Sequence, residues 1–221
     1  MRRPRLQVSI VLAAIAALLL ASSPASAQTT ARPLPALGLD SPVSVVAASF
    51  PAPLAAAPVE AAAVDAVVTC LPNPAASAAV MEAEDGILAG LRPGQTWMEM
   101  STTDEAEVKR LGALVAAKGA DPIDCPVSGG CHRAATGNIA IFAGGSRTAF
   151  EKALPVLTTM GRRILHTGEL GSASVLKVVT NYLATVHLTA SAEALMVSKQ
   201  AGMDLNVAYE AIKISSGNSF S

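Results

Sequence analysis

The sequence predicts an α/β protein in which a partial, doubly wound parallel sheet precedes the start of an all-α domain. Two observations lead to this prediction. From about Val59 onward, short β-branched runs alternate with segments of helical periodicity, as in strands joined by helices. From Gly171 to Gln200 the pattern changes to one long stretch without proline or internal glycine, in which apolar residues recur at helical spacing.

Composition narrows the function classes. The chain has 221 residues and a formal net charge of −1 at pH 7, without the clustered basic residues that would indicate a nucleic-acid partner. Its three cysteines do not form a disulfide framework, and the three histidines show no zinc-ligand spacing to them. We therefore expect no disulfide, no metal site and no nucleic-acid partner.

Residues 1–27 have the three-part pattern of an export leader. Arg2, Arg3 and Arg5 are followed by the apolar run Val8 to Ala21 and then by small residues typical of a cleavage site. The run is shorter than the roughly 20 apolar residues that a membrane span needs. A secretory signal peptide is the first interpretation. Import into a mitochondrion or another organelle, and an uncleaved membrane anchor, are the alternatives.

Residues 28–58 are predicted to be a linker. Ala, Pro, Ser and Val dominate this stretch, and its repeated prolines disfavour both a regular helix and a central strand. The run from Val43 to Phe50 is the exception, because its composition favours one strand.

Five strands are predicted in the organised part of the chain, each an apolar or β-branched run that stops at a turn signal. Asn73 is placed to cap a helix that has Pro74 at its first position and runs to about Met81. Ser146 opens another helix that continues to about Met160. The predicted strands span residues 64–70, 96–100, 120–127, 137–144 and 163–166.

A helix is also predicted between the second and third of these strands. Ser101 and Thr102 are the expected caps, with Asp104 and Glu105 in capping-box positions, and Gly119 ends the helix. In the C-terminal part, the long helix over residues 171–200 is followed by a second one.

The second C-terminal helix is capped by Asp204 and runs to about Ile214. The chain then stops in the turn-rich segment Ser216 to Ser219. We take this ending as a sign of truncation.

Three loops leave predicted strands at the carboxyl edge of the sheet, where open α/β sheets bind ligands. They are 71–73, 101–103 and 128–130. In the last of these, Gly129 and Gly130 expose backbone N–H groups beside the hydroxyl of Ser128, which suits a substrate carboxylate. A plain turn that uses the positive φ of glycine is the alternative.

Lys177 and Asn181 are the second candidate pair. They are four residues apart, so on a helix they share one face. The positive helix start and partial burial would both lower the pKa of the lysine, which then suits proton transfer to and from a carbonyl oxygen. The alternative is a surface lysine whose stem covers apolar surface.

These motifs resemble the β-hydroxyacid dehydrogenase family, and within it the 3-hydroxyisobutyrate dehydrogenase branch. Residues 124–130, DCPVSGG, are close to the family's substrate loop D-A-P-V-S-G-G. Residues 171–181 resemble its catalytic segment, G-x-x-x-x-x-K-x-x-N-N. Leu71-Pro72 and Ser101-Thr102 match its nicotinamide-side loops, and the similarity extends over roughly residues 58–221.

The resemblance implies hydride transfer between NAD or NADP and a small 3-hydroxy acid such as 3-hydroxyisobutyrate, with Lys177 as the catalytic acid/base. It assigns the other site residues to the substrate (Ser128, Gly129, Gly130, Asn181) or to the cofactor (Leu71, Pro72, Thr102).

In domain terms, the resemblance implies a partial Rossmann-type dinucleotide-binding domain over 59–168 and the N-terminal part of a helical domain over 169–221. A homodimer through the helical domain is the implied partner. Contact with a membrane is expected only if the leader is retained.

Two departures from the family pattern leave a second hypothesis open. The G-x-G-x-x-G motif that seats a pyrophosphate is absent, and the leader and linker stand in its place. Thr180 replaces the first of the paired asparagines, whereas Asn181 keeps the second. The alternative to an active oxidoreductase is a catalytically inactive family member that acts as an exported or tethered binding domain.

Overall fold

The computed structural model describes the backbone of residues 45–49 and all of residues 64–219. The predicted leader therefore lies outside the described residues, and the predicted linker is described only at one strand. That strand, β1 (Val45–Ser49), lies within the run where the composition favoured one.

Four strands form the parallel part of the sheet, in the order β1-β2-β3-β4. They are β1, β2 (Ala66–Cys70), β3 (Thr96–Glu99) and β4 (Asp121–Asp124). The residues of β2 and β3 are almost all buried, as expected for parallel strands covered on both faces. Because these strands run in one direction, the loops that follow them meet at one edge.

The remaining strands make the sheet mixed rather than wholly parallel. They are β5 (Val127–Ser128), β6 (Ala140–Gly144) and β7 (Arg163–Gly168); β6 is antiparallel to both β4 and β5, and β7 is parallel to β6. The single strand predicted over 120–127 is wrong, because β4 and β5 are separated at Cys125 and Pro126. Pro126 has no N–H to donate, and its carbonyl accepts from the amide of Phe142 (3.0 Å).

In the part of the chain that the structure describes, five helices connect these strands: α1 (Pro74–Glu82), α2 (Ile87–Gly90), α3 (Glu105–Ala117), α4 (Gly130–Ala135) and α5 (Arg147–Met160). The predicted caps are confirmed for α1 and α5, since Asn73 and Ser146 accept first-turn N–H groups. The prediction for α3 is wrong, because Asp104, not Ser101 or Thr102, caps that helix.

The sheet separates two apolar clusters. Val68, Met98 and Ile123 belong to the cluster that packs against α5, whereas Val67 and Trp97 belong to the cluster that includes residues of α1 and α3. The strands alternate between these clusters because successive side chains point to opposite faces. Trp97 is completely buried between the strands and these helices.

The chain divides into two compact units with the boundary after Lys177, inside the long helix α6 (Ser172–Gln200). The second unit contains the rest of α6 and α7 (Leu205–Ile214), which is capped by Asp204 as predicted. Apolar side chains such as Tyr182 and Leu188 are largely exposed on this part of α6. Within the residues described, no helix combines the length and apolarity needed to span a bilayer.

Shortening Leu157, a residue of α5, tests the packing of that helix in the apolar cluster. Leu157 is completely buried, so Leu157→Ala should lower the free energy of unfolding by about 2–5 kcal/mol through lost burial and a residual cavity. Leu165→Ala is the matched control, because Leu165 is 54% exposed and its loss should cost less than about 0.5 kcal/mol. Equal effects in urea unfolding would contradict this packing.

Candidate active site

A buried carboxylate joins the loops that follow β2 and β3. Glu99 accepts the amide of Ser101 at Oε1 (2.8 Å) and the hydroxyl of Thr69 at Oε2 (2.9 Å). The hydroxyl of Ser101 in turn accepts the amide of Leu71 (2.7 Å). The indole N–H of Trp97 donates to the Thr69 hydroxyl (2.9 Å) and completes the network. These bonds hold the two predicted cofactor loops side by side.

Burial dominates the electrostatics of Glu99. It raises the pKa of this carboxyl above its ordinary value, although hydrogen bonds from Ser101 and Thr69 oppose the shift. At the surface of the same loops, Pro72 and Thr102 are exposed and therefore accessible to a ligand. The adjacent Thr103 hydroxyl is buried and has no hydrogen-bond partner in the part of the chain that the structure describes.

The loop predicted to bind an acid has the backbone that its glycines allow. Gly129 has φ +134° and Gly130 has φ +77°, conformations that other residues rarely adopt. Ser128 and Gly129 are half-buried and Gly130 is exposed at the start of α4. The stem of Arg133 lies over Gly129, where an added Cβ would approach its Cδ to 2.9 Å. This geometry suits both an anion-binding turn and a plain turn.

A second buried carboxylate ties the base of this loop to the start of α6. Asp124 is fully buried at the end of β4. Its Oδ1 accepts the amide of Gly171 (2.8 Å), and its Oδ2 accepts both the amide (2.7 Å) and the hydroxyl (2.9 Å) of Ser174. Burial raises the pKa of Asp124, and the three donors partly offset this by stabilising the ionised form.

Lys177 lies in the second turn of α6, so its predicted helical position is confirmed. Its pKa is lowered from the ordinary lysine value, with burial as the cause. The contribution that the sequence also predicted from the positive helix start stays a prediction; the Asp124 carboxylate is bonded at that end of the helix. Asn181 follows one turn later on the same helix, is exposed and belongs to the second unit.

The cysteine thiols and the His166 imidazole lie outside the hydrogen-bond networks of Glu99 and Asp124 described above. All three cysteines are free; burial raises the pKa of Cys70 to about 12 and that of Cys125 well above its ordinary value, which disfavours the nucleophilic thiolate form. His166 stacks on Phe150 at 4.6 Å between ring centroids. Over residues 45–49 and 64–219, no cluster of three metal-ligating side chains is present.

A surface cleft of about 440 Å³ lies between α1 and α3 and involves none of the predicted site residues. Its walls include Pro74, Asp104 and Arg110. Arg110 is already engaged there by Glu82 and Glu107, so its charge is satisfied within the protein.

Sequence reasoning missed the two carboxylates that organise the site. Asp124 and Glu99 each lie at the end of a buried strand, where burying a charged side chain is unfavourable unless hydrogen bonds compensate. That position was the available signal. Thr69 precedes Glu99 by 30 residues, and Ser174 follows Asp124 by 50 residues. Because these separations are long, spacing in the sequence did not indicate the hydrogen bonds.

These features define a class of protein: an α/β nucleotide-binding domain with its loops at the carboxyl edge of the sheet, followed by a long helix that carries a half-buried lysine. Comparison with known proteins agrees. The NAD binding domain of 6-phosphogluconate dehydrogenase matches residues 39–168. The family described as NAD-binding of NADP-dependent 3-hydroxyisobutyrate dehydrogenase matches residues 171–221.

Individual relatives have related chemistry but different substrates. The chain is 35% identical to 2-(hydroxymethyl)glutarate dehydrogenase of Eubacterium barkeri, covering 72% of this chain and 53% of that protein. It is 33% identical to 3-hydroxyisobutyrate dehydrogenase of Pseudomonas aeruginosa, covering 71% and 52%. A solved 3-hydroxyisobutyrate dehydrogenase of Mycobacterium tuberculosis with L-serine superposes with a TM-score of 0.68 at 30% identity, covering 74% and 55%.

The chain belongs to the 3-hydroxyisobutyrate dehydrogenase group of the β-hydroxyacid dehydrogenase family. Its fold, a Rossmann-like sheet followed by helices, is that of its solved relatives. The family model reaches into the stretch that the sequence predicted as a linker, since the match begins at residue 39. The chain spans about half the length of the curated relatives it matches.

Replacing Glu99 by Gln tests the electrostatics of the first carboxylate. Because the folded-state pKa of Glu99 is raised, the folded protein binds this proton more tightly than the unfolded chain. The free energy of unfolding should therefore fall as pH rises above the unfolded-state pKa of about 4.3. Glu99→Gln removes this loss, about 1.4 kcal/mol for each unit by which the pKa is raised.

The measurement is the free energy of unfolding of both proteins from pH 4 to pH 8. The advantage of Glu99→Gln over the native chain should grow with pH, whereas Glu84→Gln, at an exposed position, should show no such trend. An advantage that shrinks as pH rises would contradict the assigned sign.

Proposed function

We propose that this protein is an NAD(P)-dependent dehydrogenase of small 3-hydroxy acids, with 3-hydroxyisobutyrate or a similar acid as substrate. The observation that carries the proposal is the position of Lys177. The lysine is half-buried on a helix whose first turn is bonded, through Asp124, to the base of the Ser128 loop. Membership of a family whose named relatives oxidise hydroxy acids supports the same reaction.

The residues present fit the nicotinamide end of a dinucleotide. Leu71 and Ser101 are bonded to each other, so the exposed Pro72 and Thr102 lie on adjacent loops. The buried Thr103 hydroxyl, without a partner in the described ranges, leaves one polar group there for a ligand or a water. The diphosphate end is different, because residues 39–85 contain no glycine for a phosphate-binding turn.

In the proposed reaction, Leu71, Pro72 and Thr102 would hold the nicotinamide, which supplies hydride chemistry when bound. The Ser128 hydroxyl and the N–H groups of Gly129 and Gly130 bind the substrate carboxylate. Neutral Lys177 accepts the proton of the substrate hydroxyl during oxidation, and its ammonium returns the proton during reduction. A substrate contact by Asn181 and a homodimer through the helical part stay predictions.

The glycine-free stretch also favours a second candidate, a binding domain without catalysis. Such a protein would take up small carboxylic acids at the Ser128 loop but would not bind a dinucleotide. Calorimetric titration with NAD, NADP and 3-hydroxyisobutyrate separates the two candidates. Heat with the acid alone favours the binding domain, and heat with a dinucleotide favours the dehydrogenase.

The lysine variant tests the proposed dehydrogenase. Lys177→Ala should lower kcat/KM for oxidation of 3-hydroxyisobutyrate by about 10²- to 10⁴-fold, because proton transfer loses its base. In the native enzyme kcat should rise with pH up to a pKa below 10.5, since burial lowers the pKa of Lys177 and only the neutral amine accepts a proton.

Lys199→Ala is the matched control, because Lys199 lies in the last turn of the same helix. It should keep the native rate and the native pH profile. A Lys177→Ala enzyme with an unchanged rate would remove Lys177 from the mechanism.

A further inference from the structure

The side chain of Asp124, at the end of β4, accepts more hydrogen bonds than the pairing of that strand requires. It is completely buried, and three hydrogen bonds from two residues of α6 or its cap end on its two oxygens. All three partners donate, so they stabilise the ionised carboxylate rather than the neutral acid. The first N–H groups of a helix have no partner within it, and here a carboxylate from another element supplies one.

The surrounding chain is shaped to leave room for this carboxylate. A Cβ at Gly144 would overlap Asp124 Oδ1 and approach the Ser172 hydroxyl to 2.8 Å. Gly171 has φ +92°, which lets its N–H turn toward Asp124 before the helix begins. The hydroxyls of Thr167 and Ser172 bond each other at 2.7 Å and hold the same corner from the other side.

This carboxylate stands between the two parts of the proposed site. Ser174, which it binds, precedes Lys177 by three residues, so the two lie about 4.5 Å apart along the helix axis and on neighbouring positions of one face. In the other direction, Asp124 precedes Ser128 by four residues, with only Cys125, Pro126 and the start of β5 between them.

We propose that Asp124 is the positioning residue of this active site: it fixes the start of α6 to the base of the acid-binding loop, orients Lys177 toward that loop and sets the charge that the ammonium experiences. The role of Lys177 in this inference rests on the proposed function, whereas the bonds of Asp124 do not. Asp124 touches neither substrate nor cofactor in this scheme and acts through Lys177.

The negative charge of Asp124 should raise the pKa of Lys177. A helix start carries partial positive charge that disfavours an ammonium, and a carboxylate at that start offsets it. Other charged groups nearby are Glu105 and Lys109 of α3, which flank Gly171 and pair with each other, and Glu169, which precedes the cap. Loss of the Asp124 charge should therefore lower the pKa of Lys177.

The test compares Asp124→Asn with Asp121→Asn in the full chain. Both changes remove one carboxylate from β4, but Asp121 is part-exposed and pairs with Lys152. The pKa of Lys177 is measured by NMR of ¹³C-labelled lysine side chains, with Lys177→Arg to assign the signal. We expect the pKa to fall by about half a unit in Asp124→Asn, the size of a helix-end charge interaction, and to stay unchanged in Asp121→Asn.

Asp124→Ser is a second neutral variant, with a smaller side chain that leaves the corner near Gly144 uncrowded. It should lower the Lys177 pKa in the same direction. An unchanged pKa in a folded neutral variant would overturn the proposal. Failure of both neutral variants to fold, with Asp121→Asn folded, would also overturn it in favour of a purely structural role.

The pH profile of kcat supplies the second readout. Its rising limb should move to lower pH in Asp124→Asn and stay in place in Asp121→Asn. The NMR titration needs neither cofactor nor substrate. It therefore tests the positioning role of Asp124 separately from the proposed dehydrogenase function. A shifted Lys177 pKa in a chain without dehydrogenase activity would reject the proposed function and keep the positioning role.

Discussion

The hydrogen bonds from the start of α6 to the Asp124 carboxylate connect the acid-binding loop of the proposed site to the helix of its lysine. They join the end of β4, and hence the Ser128 loop, to the helix that carries Lys177. Placing a carboxylate in the interior is costly unless donors replace its water, and Gly171 and Ser174 supply those donors. In the proposed site, these hydrogen bonds therefore fix the start of α6 and also place a negative charge near Lys177.

Glu99 has the corresponding role at the neighbouring strand end. It bonds Ser101 and Thr69, and Ser101 bonds Leu71, so the loops expected at the nicotinamide are joined through one buried acid. In both cases a buried carboxylate accepts hydrogen bonds from backbone N–H groups beside a loop, and such support preorganises a site at the sheet edge.

Much of the fold could be predicted from local signals, because capping residues, glycine stops and helical periodicity act over a few residues. The helices begun by Asn73, Ser146 and Asp204 are examples. The break between β4 and β5 at Cys125 and Pro126 could not, since both strands are defined by pairing with β6, which is distant in sequence. The candidate residues Ser128 and Lys177 came from motif spacing, whereas the acids that support them depend on tertiary contacts.

Amide hydrogen exchange at Gly171 in the full chain tests the central bond most directly. The N–H of this residue precedes the helix and is bonded to Asp124 Oδ1, so its protection depends on that carboxylate. We expect strong protection in the native chain and exchange faster by an order of magnitude or more in Asp124→Asn. Rapid exchange at Gly171 in the native chain, in an otherwise protected domain, would contradict it.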